Sequence, residues 1–233
     1  MITRYGLIDL LAVTSLLIFS CSSDSSCTCG GLECLEGDGT EQASFVNVDA
    51  YQRIIHRGTL DVEYSKNTEH SFELTSESNL SDVYVVASFD NILSIINNVN
   101  TCFNTNNPHK IEVESIILNS IDADGTADFA IGNFETSQSE FLLRSLGTGD
   151  VSFTESVALS NLFIGNIGTG DVSGFNVSAD TCRVTIDGTG DVEVTARDVL
   201  IVDRRGTGSL FYRGSPEIEI IRDEGTGEIV DAN

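Results

Sequence analysis

Five carboxylates recur on one beat. Asp128, Asp150, Asp171, Asp191 and Glu228 each hold the fourth place of a short phrase that reads G-T-G-D-V in its most regular copies, at Gly147, Gly168 and Gly188. Variants open at Gly125 (GTADF), Gly206 (GTGSL) and Gly225 (GTGEI), so successive copies are spaced by 22, 21, 20, 18 and 19 residues. If one period is one structural rung, the carboxylates stack about 4.8 Å apart. At that distance two charges repel by roughly 0.9 kcal/mol in water and roughly 3.5 kcal/mol at an effective dielectric of about 20. Two arrangements relieve such a column. Either a hard cation such as calcium bridges the oxygens, or each carboxylate accepts a hydrogen bond from the glycine-rich turn and stays hydrated. Calcium-binding nonapeptide repeats place their Asp in a G-x-G-x-D spacing at about half this period, whereas here Asp directly follows the second Gly. The local hydrogen bond is therefore expected, with no metal site and no cofactor.

Other chemistry is sparse. His56, His70 and His109 fall in different phases of the repeat, which supports neither a histidine cluster nor a triad. The chain contains no P-loop and no G-x-S-x-G elbow. The basic pair Arg204-Arg205 lies beside the Gly206 corner, one rung beyond Asp191. A polysaccharide lyase on a β-helix would want acidic calcium ligands beside an Arg or Lys base. This pair is where that reading would have to stand, and salt bridging across rungs is the plainer account of it. The chain is therefore expected not to be an enzyme. Cys27, Cys29 and Cys34 lie close together without a nearby His, which suits disulfides in an oxidising compartment better than a metal. With Cys102 the connectivity stays open. Cys182 shares a column with Phe141, Leu162 and Leu200, so its thiol is expected to point inward.

These groups need a scaffold, and the columns around the phrase describe one. Its fifth residue is apolar throughout: Phe129, Val151, Val172, Val192, Leu210 and Ile229. Four residues before the first Gly come Ile121, Leu143, Ile164, Val184, Val202 and Ile221. Alternation on both sides of a turn marks half-buried strands, with Val172 inward and Ser173 outward. The turn glycines Gly147, Gly149, Gly168, Gly170, Gly188, Gly190, Gly206, Gly208, Gly225 and Gly227 are read as giving the backbone freedom to bend. Upstream, Gly58 opens GTLDV and Asn79 opens NLSDV, with room for a further copy before Gly125. Eight or nine rungs are expected on this count. The expected fold is all-β, a right-handed parallel β-helix of about 21 residues per coil, in preference to a β-sandwich with chance turn similarity.

The N-terminus reads as a targeting segment. Residues 1–20 combine Arg4, an apolar run over 10–19 and Ser20 before Cys21, the pattern of a signal peptide. Leu17-Ile18-Phe19-Ser20-Cys21 resembles a bacterial lipobox, which implies a lipid on Cys21, and Ser22 rather than Asp after it implies outer-membrane sorting. Residues 21–44 are expected to be a Ser/Gly/Cys-rich tether and residues 45–233 the body. The chain carries 36 acidic against 12 basic residues, net −24, which repels nucleic acid and sets that partner aside.

The opening FVNVDAYQRIIHRGTLDVEY, the later NILSII and the G-T-G-D-V phrases together resemble the putative auto-transporter adhesin, head GIN domain family, over roughly residues 45–230. That resemblance implies a β-helical fold and a place in the cell envelope of Bacteroidota, with an adhesin-like role and no catalytic residues. The expected partners are the membrane, through the N-terminal lipid, and a glycan or an envelope or host protein. A structural envelope component without ligand is the alternative. Phe211 and Tyr212 are adjacent, so a strand there turns at least one aromatic outward. The irregular NNVNTCFNTNNPHK, residues 97–110, is expected to form a surface loop.

Overall fold

The computed structural model describes residues 28–29, 32–97, 103–105, 107 and 109–233. Its regular structure is almost entirely strand; the helical element among the described residues is a single 3-10 turn, Ser81–Val83. The fold is all-β.

Two ladders of strands carry the core. One runs through Arg53–Gly58, Ser120–Gly125, Glu140–Ser145, Val157–Asn166, Val177–Ile186, Val192–Arg204 and Glu217–Asp223, all paired in parallel. The other runs through Asp61–Lys66, Phe129–Ile131, Val151–Phe153, Val172–Ser173, the start of Val192–Arg204, Leu210–Arg213 and Ile229–Asp231, also parallel. The sequence columns become registers. Ile54, Ile121, Leu143, Ile164, Val184 and Val202 stand opposite one another in the first ladder. Val62, Phe129, Val151, Val172, Val192, Leu210 and Ile229 do so in the second. Both rows are buried except at Ile229, and both belong to one apolar cluster. Apolar side chains two residues apart along a strand share a face, so alternation alone delivers them to this interior.

The expectation of parallel pairing throughout does not hold nearer the N-terminus. Ser71–Glu77 is antiparallel to both Glu41–Phe45 and Lys110–Ser115, and Tyr84–Phe89 is antiparallel to Ile92–Asn97. For the last of these pairs the cause is local turn chemistry. Asp90 and Asn91 both take positive φ, 51° and 62°. That is the geometry of a tight two-residue hairpin, and it returns the chain beside itself instead of carrying it to the next rung. The rung count falls accordingly. Asn79 opens no corner; the residues after it form the 3-10 turn. The corner at Gly58 lies directly against the corner at Gly125, and Val62 opposite Phe129, partners 67 positions apart in sequence.

Two further corrections concern single columns. Val202 stands opposite Ile220, and the register shifts immediately afterwards, so Ile221 is not in the inward row. The ten repeat glycines are also not needed for unusual dihedrals, because positive φ among glycines occurs at Gly39, Gly125 and Gly214. They are needed for proximity. A Cβ on Gly168 would meet the Gly147 carbonyl oxygen at 1.9 Å, one on Gly188 the Gly168 oxygen at 1.8 Å, and one on Gly170 the Gly149 oxygen at 2.0 Å. Corner backbones stack too closely for any side chain.

Leu35–Glu36 and Glu41–Phe45, on the N-terminal side of residue 45, pair with Phe103–Asn104 and Ser71–Glu77. The rest of the 97–110 segment lies mostly outside the described residues. Cys34 is disulfide-bonded. Cys182 is free and fully buried, and burial pushes its thiol up to about 12.

Candidate functional site

The carboxylate column is the most regular polar feature of the molecule. Asp128 Oδ1 accepts the backbone N–H of Asp150 at 2.8 Å, Asp150 Oδ1 that of Asp171 at 2.8 Å, and Asp171 Oδ1 that of Asp191 at 2.7 Å. Asp191 Oδ1 accepts from Ser209 N at 2.7 Å, and Ser209 Oγ from Glu228 N at 3.3 Å. The column also has a member that the sequence reading left out: Asp61 Oδ1 accepts Asp128 N at 2.9 Å. Asp61 is the fourth residue of GTLDV, so the phrase itself carried the signal. Each Asp of the column thus anchors the next corner through one oxygen. Among the described residues no three His, Cys, Asp or Glu side chains are grouped to hold a metal ion.

The dispersed basic groups do not assemble into a catalytic set. His56 is buried with its ring edge against Phe129, and burial lowers its pKa to about 4. His109 lies 3.5 Å from buried Glu77, in contact with Thr105 and stacked on Phe103. Arg204 points inward, only 3% exposed, and pairs with Asp223. Arg205 points outward and pairs with Asp187. Strand alternation splits the pair between two faces, and both guanidiniums are committed to carboxylates other than Asp191.

The outward face of the first ladder is different in character. Leu142, Phe163, Arg183 and Ile201 stand opposite one another on successive strands. Beside them run Arg144, Gly165 and Thr185, and on the other side Asn161 and Thr181. At the near end, Asp122 is nearly buried between Arg53 and Arg144. Burial by itself would raise the Asp122 carboxyl, but its hydrogen bonds to Arg144 and Arg53 outweigh that and hold it below the usual range. Phe211 stands on the second ladder, opposite Glu193 and Val230, while its neighbour Tyr212 packs on the core. The outward aromatics Phe163 and Phe211 therefore belong to separate ladders. Cys21 lies outside the described residues.

A cleft of about 320 Å³ lies at the antiparallel end, lined by Ser44, Val46, Phe72, Leu74, Ser81, Asp82, Tyr84 and Val86. Phe45 and Phe89 are the most exposed large apolar side chains there, at 75% and 84%.

The model of a protein family described as "Putative auto-transporter adhesin, head GIN domain" matches the chain over residues 50–167 and 153–216. Among solved structures, one described as a putative adhesin from Bacteroides fragilis aligns with a TM-score of 0.68 at 20% identity, covering 83% of this chain and 98% of that one. A structure described as a putative lipid binding protein from Parabacteroides distasonis aligns with a TM-score of 0.56 at 20% identity, covering 84% and 99%. A structure described as a putative adhesin from Parabacteroides merdae aligns with a TM-score of 0.54 at 17% identity, covering 84% and 99%. These likenesses establish a shared fold. No curated protein matches the chain in sequence.

Proposed function

The chain belongs to the putative auto-transporter adhesin, head GIN domain family, and from that premise we propose that it is a non-catalytic, adhesin-like binding protein of the cell envelope. The observation that carries this reading is the uncovered outward face of the first ladder. It sets apolar, aromatic and basic side chains in one row, with hydroxyl side chains in the rows beside it, on a rigid backing. A purely structural rung would need only solvated side chains there.

The reading has three finer parts. From Ser120 onward the two ladders act as a right-handed parallel β-helix, in which each rung is buried by its neighbours. Residues 1–20 are removed as a signal peptide, and Cys21 carries a lipid that holds residues 21–44 as a tether at the outer membrane. The partner is a glycan or a protein of the envelope or host. Palmitate labelling in a bacterial host tests the anchor, and unchanged labelling of Cys21→Ala would overturn it.

A second reading has its own observation. The cleft sets Val46, Phe72, Leu74, Tyr84 and Val86 beside the polar Ser44, Ser81 and Asp82, and its volume of about 320 Å³ has room for a single acyl chain. The relative described as a lipid binding protein points the same way.

The decisive experiment is to probe a glycan array and a panel of envelope proteins with the purified chain, alongside a fluorescent fatty-acid titration. Binding on the array or the panel supports the adhesin-like reading, saturable uptake of the fatty acid alone supports the second, and no binding anywhere leaves a structural component.

A further inference from the structure

Gly165 has no structural reason to be glycine. It sits inside Val157–Asn166, where glycine weakens a strand by about 0.5–1 kcal/mol relative to alanine. A Cβ at this position would meet nothing within 4 Å, whereas one on Gly147, Gly168 or Gly188 would strike a backbone oxygen. Its dihedrals are ordinary, since positive φ falls elsewhere. A strand glycine with open space above it leaves a notch in the outward face, and such a notch lets another molecule approach the backbone.

Arg183 is the second anomaly. The sequence holds 36 acidic residues against 12 basic ones. Arg53, Arg57, Lys66, Lys110, Arg144, Arg197, Arg204, Arg205 and Arg222 all pair with carboxylates, and Arg213 lies over the Phe175 ring. Among the described residues Arg183 alone of the lysines and arginines is exposed with neither an ion pair nor a hydrogen bond nor a ring contact. It stands opposite Phe163, whose strand carries Gly165 two residues on.

The two anomalies share one patch. Phe163 lies between Leu142 and Arg183 across the strands, and Gly165 lies between Arg144 and Thr185. Asn161 and Thr181 complete the surround. Asp122 is held by Arg53 and Arg144, Glu140 accepts from Asn161, and Asp203, opposite Thr185, pairs with Arg222, which leaves Arg183 as the cation of the patch without a partner. An outward ring beside a notch, ringed by hydroxyls and an amide, fits the apolar face of a pyranose. An uncommitted guanidinium one strand away fits a carboxylate in the fork geometry. The apolar row is one residue wide, too narrow for the core of a stable protein interface.

We propose that Phe163, Gly165 and Arg183 form a docking platform for a carboxylate-bearing sugar, with Phe163 under the ring, Gly165 admitting it to the backbone and Arg183 holding the carboxylate. The proposal rests on the adhesin-like reading and supplies its ligand class.

The test titrates the full purified chain with tetragalacturonate, sialyllactose and a neutral tetrasaccharide, maltotetraose. At least one carboxylated sugar is expected to bind, and maltotetraose roughly ten-fold or more weaker. Gly165→Val fills the notch with a good strand former, so its melting temperature should stay level or rise while affinity falls roughly ten-fold or more. Arg183→Gln, a surface change that leaves folding alone, should erase the preference for the carboxylated sugar. A chain that binds neither acidic sugar overturns the platform. So does Gly165→Val binding as tightly as wild type. Envelope-protein binding undiminished in both variants would also overturn it while leaving the adhesin-like reading in place.

Discussion

The backbone N–H of Asp171 donates to Oδ1 of Asp150 at 2.8 Å. The same bond recurs from Asp150 to Asp128 and from Asp191 to Asp171, so the column is tied rung to rung by amides. Each of these amide donors offsets part of the repulsion along the column, because an N–H aimed at a carboxylate stabilises its charge. Asp150→Ala removes the acceptor beneath Asp171 and should lower stability by about 1 kcal/mol, whereas Asp150→Asn keeps an oxygen there and should cost about half as much. Calcium and a chelator should leave the melting temperature of wild type unchanged. Urea melts of the three proteins, with and without calcium, check both; a calcium-dependent rise lost in Asp150→Asn would show that a cation, and not the amide, relieves the column.

Corner glycines are expected to be the least replaceable small residues. Gly168→Ala would place a methyl 1.9 Å from the Gly147 carbonyl oxygen, so the rungs must part. The expected loss is about 3 kcal/mol or more, read as a fall in denaturation midpoint. Stability equal to wild type would mean that the corners have slack.

Inward and outward positions one residue apart should separate cleanly. Val172 is 1% exposed, and Val172→Asp buries an unpaired carboxylate at a cost of about 3 kcal/mol or more. Ser173→Asp adds its charge to solvent and should change stability by less than about 0.5 kcal/mol. Equal losses in thermal melts would overturn the assigned faces.

Acid should weaken the fold first through His56. Burial holds this ring neutral to about pH 4, while in the unfolded chain it takes up a proton near 6.5. Between those values the unfolded state binds more protons, so stability is complete above about 6.5 and drains as pH falls toward 4, by roughly 3 kcal/mol at full extent. His56→Phe, with no proton to take up, should flatten that window. Chemical melts at pH 7, 5.5 and 4.5 read the difference; parallel curves for the two proteins would show that other groups carry the slope.

Legibility in the sequence tracked the range of the interaction. The inward rows were readable because alternation around a corner is local, and they hold from Ile121 to Val202 and from Phe129 to Ile229. The return of the chain at Asp90-Asn91 was also local, yet the periodic pattern drew Asn79 into the repeat and hid it. The partnership of Gly58 with Gly125 was not readable at all, since it depends on where the antiparallel strands between them come to rest. The acid column was legible as a column but not in its bonding, which required the relative height of two backbones. Phe163, Gly165 and Arg183 carry no spacing signal. They stand out only once every other described lysine and arginine has been seen to have a partner and every corner glycine a neighbour.

The corner bonds all point one way: each rung lends an acceptor forward and takes one from behind. A segment cut from one corner to the next therefore carries a matched set of ends. Excising the residues from Gly147 to just before Gly168 would leave Asp128 facing Asp171 with the same donor and acceptor, whereas removing half that length would set a corner against a strand and leave the bond without its partner. Chain length in this architecture is thus a discrete variable. Inserting or deleting one whole G-T-G-D-V repeat can lengthen or shorten the molecule by a rung and leave the bonding at each junction intact.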